Sequence, residues 1–299
     1  MPAVPSLLGL EELRGGLSPR SSLPEAARVL LCLQVRMLED RLPAALSGEE
    51  PAPLHDARVA GRRLRAGVAM FGSMYPRVWK NAEEAARCAT SRFRLARDLD
   101  IRCARLRRMM MAAKGFSRKE LGLIGMLLGE SVAERRTLGL AGPPGAGIDG
   151  RMLLALWRPR TSRAPQAERS LVVRLRELGQ GAALLIPVAC EECRGGVQHR
   201  LRMRCRALRY SLEMMEWRLG DEAAWRLDIL RNVQDELGGI HDIDVFCGYL
   251  AQRAGSSASL GSGGHREMDR RLGEERHRHF RRFLDIGEEL ERALAPVDS

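Results

Sequence analysis

The chain is poor in aromatic residues and has no long apolar run. Only 4% of its 299 residues are Phe, Trp or Tyr, which argues against a single-strand nucleic-acid binder because base stacking needs exposed rings. No stretch approaches the roughly 18 uninterrupted apolar residues of a membrane span, so we expect none. The N-terminus lacks a basic region before an apolar run, so we expect no signal peptide.

Signatures of catalysis and of metal binding are missing as well. There is no Walker loop, nucleophile elbow, dinucleotide fingerprint or His-Glu-x-x-His string. We therefore predict that the chain is not an enzyme and needs no cofactor. Cys190 and Cys193 form a single Cys-x-x-Cys pair without a second pair at zinc-finger spacing. We interpret the seven cysteines as reduced thiols of a cytoplasmic protein.

Arginine is the residue that the chain has in excess. It carries 46 Arg but only 3 Lys, and its net charge is +11. Such a charge predicts an anionic partner. Planar guanidinium groups suit phosphate oxygens, which they bind through two parallel hydrogen bonds. A genome rich in G and C would also favour arginine codons, so composition alone leaves both interpretations open.

Helix-breaking residues divide the chain into two halves. Apolar residues recur at helical spacing, and no segment shows the alternation typical of a strand, so we predict an all-α fold. Pro, Gly and Ser concentrate near the N-terminus and in the middle of the chain. The expected organisation is a flexible segment over 1–21, a first helical bundle over 22–138, a linker over 139–165 with a short helix at 151–157, and a second bundle over 166–294.

Each half is expected to contain four helices. Capping boxes headed by Ser22 and Ser117 mark two of the helix starts. A bend is expected near Asp98 in the third segment of the first half. The predicted helices cover about 22–46, 54–74, 77–113 and 117–137 in the first half, and 167–193, 197–219, 222–253 and 265–294 in the second.

A polar motif occurs twice at a constant separation. The string His-x-x-Arg-x-x-x-Arg begins at His55 and again at His199, and an Asp-x-Asp follows each copy, at Asp98 and at Asp242. Corresponding residues lie 144 positions apart, with no gap needed. We interpret the chain as an internal duplication that forms two pseudo-symmetric four-helix bundles.

The repeated string predicts a basic stripe on one helix in each half. Residues at i, i+3, i+7 and i+10 share a helix face, and each stripe would extend about 15 Å. Two unit charges about 6 Å apart repel by roughly 3 kcal/mol at an effective dielectric constant of 20, so the stripes favour an anionic ligand. The stripe residues are His55, Arg58, Arg62 and Arg65 in the first half and His199, Arg202, Arg206 and Arg209 in the second.

The paired aspartates offer partial relief of this repulsion. We expect Asp98, Asp100, Asp242 and Asp244 to orient the stripe guanidinium groups by salt bridges from a neighbouring helix. Direct chemistry by these carboxylates is the alternative.

Four sequence blocks resemble one known family. They are His55–Arg65, Arg97–Asp100, His199–Glu213 and Leu237–Asp244, and in this order they resemble the conserved-histidine α-helical domain, or CHAD, over about residues 25–294. The resemblance implies two pseudo-symmetric helical bundles around a basic central groove that binds inorganic polyphosphate. It also implies association with polyphosphate granules.

Carried onto the matching positions, the resemblance implies that the eight stripe residues bind the ligand. It adds Arg63 to the binding set, with Arg97 and His241 in support. Some members join this domain to a triphosphate-processing catalytic domain. The chain has no room for one, so we expect binding without turnover.

Two other ligand classes remain as alternatives. His55, His199, His241 and the paired aspartates could bind a divalent metal, although the nearby arginines would repel it. A basic surface could bind nucleic acid non-specifically, although no recognition-helix signature is visible. A phosphate-bound histidine favours its protonated form, so the polyphosphate hypothesis predicts tighter binding at pH 6 than at pH 8.

Overall fold

The chain is all-helical over residues 4–112, 114–139, 150–256 and 266–296, which are the residues that this computed structural model describes. No strand occurs within these ranges, so the all-α prediction is confirmed. None of the helices found there is long and apolar enough to cross a membrane. The helices are α1 (Leu7–Gly15), α2 (Leu23–Ser47), α3 (Pro51–Phe71), α4 (Trp79–Arg92), α5 (Arg94–Met111), α6 (Arg118–Thr137), α7 (Gly150–Leu156), α8 (Ala164–Ala183), α9 (Ile186–Ala189), α10 (Gly195–Glu213), α11 (Glu216–Leu219), α12 (Asp221–Ser256), α13 (Arg266–Asp285) and α14 (Gly287–Leu294).

Both predicted capping serines begin a helix. The Ser22 hydroxyl accepts a hydrogen bond from the Glu25 amide at 3.4 Å. At Ser117 the box is complete, because the Glu120 amide donates to the Ser117 hydroxyl and the Ser117 amide donates to the Glu120 carboxylate. These bonds satisfy amides that the first helical turn leaves without a partner.

The segment 1–21, predicted to be flexible, contains helix α1. Ser6 caps this helix by accepting from the Gly9 amide at 3.3 Å, and Leu10 is fully buried against α2. Burial of a leucine side chain stabilises by about 2 kcal/mol, which offsets the poor helix propensity of the surrounding Gly and Pro.

The third predicted segment is broken rather than bent. Helices α4 and α5 meet at Phe93, five residues before the bend expected at Asp98. The Phe93 side chain is fully buried, so core packing at this point accounts for the break. The corresponding stretch of the second half is the single helix α12.

The short helix predicted in the middle of the chain is present in the structure. Helix α7 covers Gly150–Leu156, where a short helix is predicted. Residues 140–149 of the predicted linker lie outside the described residues.

Among the described residues, the buried apolar side chains form two clusters, and each contains residues from both halves of the sequence. The larger cluster includes α2 and α3 together with α8 and α10. The smaller joins Leu106 and Ile124 of α5 and α6 to Phe246 and Met268 of α12 and α13. Helices before and after the predicted linker are therefore packed together.

This packing brings α3 and α10 side by side. A Cβ atom at Gly67 of α3 would lie 2.7 Å from Leu31 Cδ2 of α2 and 3.5 Å from Met214 Sδ, just beyond α10. Glycine thus lets α3 pack closely against α2 without displacement of Leu31, while Met214 lies at an ordinary van der Waals distance. The two predicted stripe helices thus share one core, which sets the distance between their polar faces.

Candidate anion-binding site

The polar faces of α3 and α10 bring arginines from both stripes together, with Arg62 at the centre. The Arg62 Nε atom donates to the Tyr210 hydroxyl at 2.8 Å, which spans the two helices. Arg62 is close enough to act electrostatically on stripe residues from both halves. These are His55, Arg58, Arg202 and Arg206.

Arg58, Arg62, Arg202 and Arg206 form what we call the central arginine cluster. Burial, followed by the positive charges of Arg62, Arg202 and Arg58, lowers the pKa of Arg206 to about 10. Burial is also the main reason why the pKa values of Arg58 and Arg202 are lowered. Side chains that remain charged at neutral pH are thus held in an environment that disfavours their charge.

The cluster has no acidic partner within ion-pair distance in the described part of the chain. The hydrogen bonds that its side chains donate go to neutral atoms. The Thr90 carbonyl oxygen accepts from Arg58, the Tyr210 hydroxyl from Arg62, and Met203 Sδ from Arg206 Nη2 at 3.0 Å. Most of the guanidinium donors therefore remain available to a ligand.

Two histidines face each other beside the cluster. The rings of His199 and His241 have centroids 4.3 Å apart and planes tilted by 37°. Burial and then Arg202 and Arg206 lower the pKa of His199, and its Nδ1 atom is buried without a partner among the described residues. Burial and then His199 and Arg202 lower the pKa of His241. An anion bound beside this pair would act in the opposite direction, because it favours the protonated form of each ring.

His55 lies in a different setting on α3. Its side chain is partly exposed, and partial burial followed by Arg97 and Arg62 lowers its pKa. Arg97 of α5 also acts on Arg58. The structure therefore brings the predicted supporting residue Arg97 next to the first stripe.

Two other predicted binding residues, Arg63 and Arg209, are paired with an acidic residue, unlike the cluster. The Glu213 carboxylate accepts from Arg63 Nε and from Arg209 Nη1, each at 2.7 Å. Arg209 Nε also donates to Gln234 at 3.1 Å. Arg65 is exposed, and no described hydrogen bond or ion pair joins it to the other stripe residues.

The second aspartate of the first Asp-x-Asp holds an arginine outside the stripe. Asp100 accepts from Arg135 Nε of α6 at 2.8 Å, and both side chains are largely buried. Arg135 Nη2 then donates to the carbonyl oxygen of Gly48 at 3.2 Å. Gly48 lies three residues before α3, so the pair fastens the loop that leads into the first stripe helix.

The second half repeats this arrangement. Asp244 accepts from Arg276 Nε of α13 at 2.7 Å, and Arg276 Nη1 donates to the Glu192 carbonyl oxygen at 3.0 Å. Glu192 precedes α10 and lies 144 residues after Gly48. The sequence predicts that these aspartates orient the guanidinium groups of the stripes. Asp100 and Asp244 instead orient the arginines that hold the stripe helices in place.

The first aspartate of each pair is closer to the expected role. Asp98 raises the pKa of Arg58, and Asp242 raises that of Arg202, in both cases against the larger effect of burial. Asp98 also lies 3.9 Å from Arg94 on its own helix. These carboxylates offset part of the charge of the cluster without pairing with it.

The described residues offer no clear metal site. They contain no group of three or more His, Cys, Asp or Glu side chains that could hold a metal ion. Cys190 and Cys193 are exposed free cysteines in the loop before α10, where Arg276 binds the backbone of Glu192 between them.

Tyr210 and Glu213 belong to the block His199–Glu213 that resembles the family, but the sequence analysis predicted no role for them in the site. Both follow the second stripe on α10, and Glu213 lies four residues after Arg209, which is the spacing of a helical ion pair. The corresponding positions of the first half are Ala66 and Ala69. A search for features that the two copies share therefore passes over them.

The chain belongs to the CHAD domain family, whose model matches residues 30–251. This confirms the family that the four sequence blocks resemble. The crystal structure of the CHAD domain from the plant Ricinus communis is similar in fold, with a TM-score of 0.60, 20% sequence identity and 94% of each chain covered. No curated protein matches the chain.

Proposed function

We propose that this protein binds inorganic polyphosphate without turnover, in a groove lined by the stripes of α3 and α10. The observation that carries the proposal is the central arginine cluster, which is half-buried and lacks an acidic partner in the described part of the chain. Guanidinium groups in this state gain most from an anion that replaces both water and counter-ions. A linear polyphosphate supplies about one negative charge per phosphate, so one chain can reach both stripes.

The position of the cluster favours a narrow polyanion over duplex DNA. Arg202 and Arg206 are half-buried between packed helices, where a flexible phosphate chain can enter more easily than a rigid duplex. Aromatic side chains that could stack on bases are few in the sequence. Non-specific nucleic-acid binding is therefore the competing outcome of the test below.

We also propose that the fold is an internal duplication with approximate two-fold symmetry. The Arg102 guanidinium lies 3.9 Å from the Tyr249 ring centroid, and Arg105 lies 5.8 Å from that of Phe246. Residues 102 and 246, and residues 105 and 249, are each 144 positions apart, so the two contacts are reciprocal. Reciprocal contacts are typical of a two-fold interface. The loop contacts of Arg135 and Arg276 support the same proposal, because their partners Asp100 and Asp244, and Gly48 and Glu192, are each 144 positions apart, while the two arginines are 141 apart.

Titration of the purified protein with long-chain polyphosphate tests the function. Salt concentrations of about 50 and 200 mM would measure how many phosphates are neutralised, since each contributes to the slope of affinity against salt. Orthophosphate and duplex DNA serve as competitors, and a parallel assay measures release of free phosphate. We expect submicromolar affinity that DNA does not compete away, and no phosphate release.

Charge reversal within the cluster provides the specific test. Arg62→Glu with Arg206→Glu should weaken binding by about 100-fold, because each change replaces an attraction by a repulsion. Arg87→Glu with Arg270→Glu is the matched control, since both arginines are exposed and pair with glutamates on their own helices. Equal loss in both double variants, or displacement by DNA at equal charge, would reduce the site to a generic basic surface.

A further inference from the structure

Glu213 is a carboxylate held between the two halves of the chain. Its side chain is only 8% exposed, and its two oxygens accept from Arg63 of α3 and Arg209 of α10, each at 2.7 Å. Arg63 and Arg62 are neighbours on α3, and Arg62 belongs to the central arginine cluster. The carboxylate therefore fixes α3 to α10 beside the cluster.

Tyr210 extends the same contact. Its buried hydroxyl accepts from Arg62 Nε at 2.8 Å, while the Arg209 guanidinium lies 4.4 Å from its ring centroid. Two residues of α10, Tyr210 and Glu213, thus hold consecutive arginines of α3. A shift of one helix along the other would break both hydrogen bonds at once.

The arrangement exists in one half only, because Ala66 and Ala69 stand at the corresponding positions of α3. One set of these contacts is enough to join α3 to α10, because the contacts connect the two halves directly. A negative charge beside a cationic site also opposes anion binding, so a purely electrostatic view predicts that Glu213 weakens affinity.

We propose that Glu213 is a positioning residue for the polyphosphate groove. By binding Arg63 and Arg209 it sets α3 against α10 so that Arg62 and Arg206 face the same stretch of ligand. This inference rests on the proposed function, and it predicts that Glu213 strengthens binding despite the sign of its charge.

Replacement of Glu213 by its neutral isostere separates the two views. Glu213→Gln should bind polyphosphate about tenfold more weakly than Glu216→Gln, with a salt dependence shallower by about one phosphate. Glu216→Gln is the matched control, because it removes the same charge at a half-exposed site, where the Glu216 carboxylate forms an ion pair with Arg14 at 3.8 Å. Affinity equal to or tighter than that of Glu216→Gln would overturn the proposal.

A second set of variants keeps the test decisive if Glu213→Gln does not fold. Glu213→Asp retains the charge but is too short to bridge both arginines, so it should weaken binding less than the glutamine variant and more than Glu216→Gln. Arg63→Gln should remove the same interaction from the other side. Its effect on affinity should not add to that of Glu213→Asp, and full additivity would contradict positioning through this pair. Failure of the wild-type protein to bind polyphosphate would instead refute the proposed function itself.

Discussion

The stripes of α3 and α10 have the same residues at the same spacing, but their surroundings differ. His199 faces the ring of His241, whereas the corresponding position beside His55 is occupied by Arg97. Arg209 is tied to Glu213, whereas its counterpart Arg65 is exposed. The duplicated pattern therefore specifies which groups are present, while the surroundings of each stripe decide how firmly those groups are held. The side chains at the two ends of the α10 stripe, His199 and Arg209, are held by neighbouring residues. Their counterparts on α3, His55 and Arg65, are exposed to solvent.

The largest expected effect is on stability, and it concerns the two ion pairs that hold the loops before α3 and α10, Asp100–Arg135 and Asp244–Arg276. Asp100→Asn should lower the free energy of unfolding by about 3 kcal/mol, because it leaves the largely buried Arg135 without its counter-ion. Asp244→Asn should cost only about 1 kcal/mol, because Asp244 is 38% exposed and Arg276 keeps its bonds to Glu192 and Gln198. Urea unfolding of both variants measures the difference. Equal losses of unfolding free energy in the two variants would show that the two ion pairs contribute equally to stability.

A smaller effect separates the equivalent arginines that end each stripe. Arg209→Ala should lower the free energy of unfolding by about 2 kcal/mol, since it removes bonds to Glu213 and Gln234. Arg65→Ala should change it by less than about 0.5 kcal/mol, as expected for an exposed side chain. The same unfolding assay applies. A destabilising Arg65→Ala would show that the first stripe is as tightly held as the second.

The smallest effect is the dependence of affinity on pH. In the free protein, burial and neighbouring arginines keep the pKa values of His55 and His199 below 6.5. If the protein binds polyphosphate as proposed, the bound anion should raise these pKa values. The complex should then hold more protons, and the affinity for polyphosphate should rise about fivefold from pH 8 to pH 6. Asp242 and Asp244 act in the same direction on His241.

Equilibrium titrations at pH 6, 7 and 8 measure this dependence. His199→Gln should reduce it more than His55→Gln, because the His199 ring is more enclosed and faces His241. Flat affinity in the wild-type protein would contradict proton uptake. In the protein without ligand, the stability of the fold depends on pH in the opposite direction. Because the pKa of His199 is lower in the folded than in the unfolded chain, the free energy of unfolding decreases as pH drops below 6.5.

The sequence predicts correctly those features that depend only on the spacing of apolar residues and on local capping. Helical spacing predicted the all-α class, and Ser22 and Ser117 marked true helix starts. It failed at α1 and at the break beside Phe93, where burial against distant helices outweighs local propensity. The partners of Asp100 and Asp244 also escaped prediction, since Arg135 and Arg276 stand within arginine-rich helices that offer many equivalent candidates.

By itself the sequence determined the helical class, the family, and the two sets of His, Arg and Asp at a constant separation. Tertiary structure alone decided which of these arginines are free and which are paired. Arg62 and Arg206 remain without an acidic partner in the described part of the chain, while Arg63 and Arg209 share Glu213. The physical reason is that periodicity places a side chain on a face of its own helix. Pairing instead depends on the distance and rotation between two helices, and these are set by the packing of the whole core.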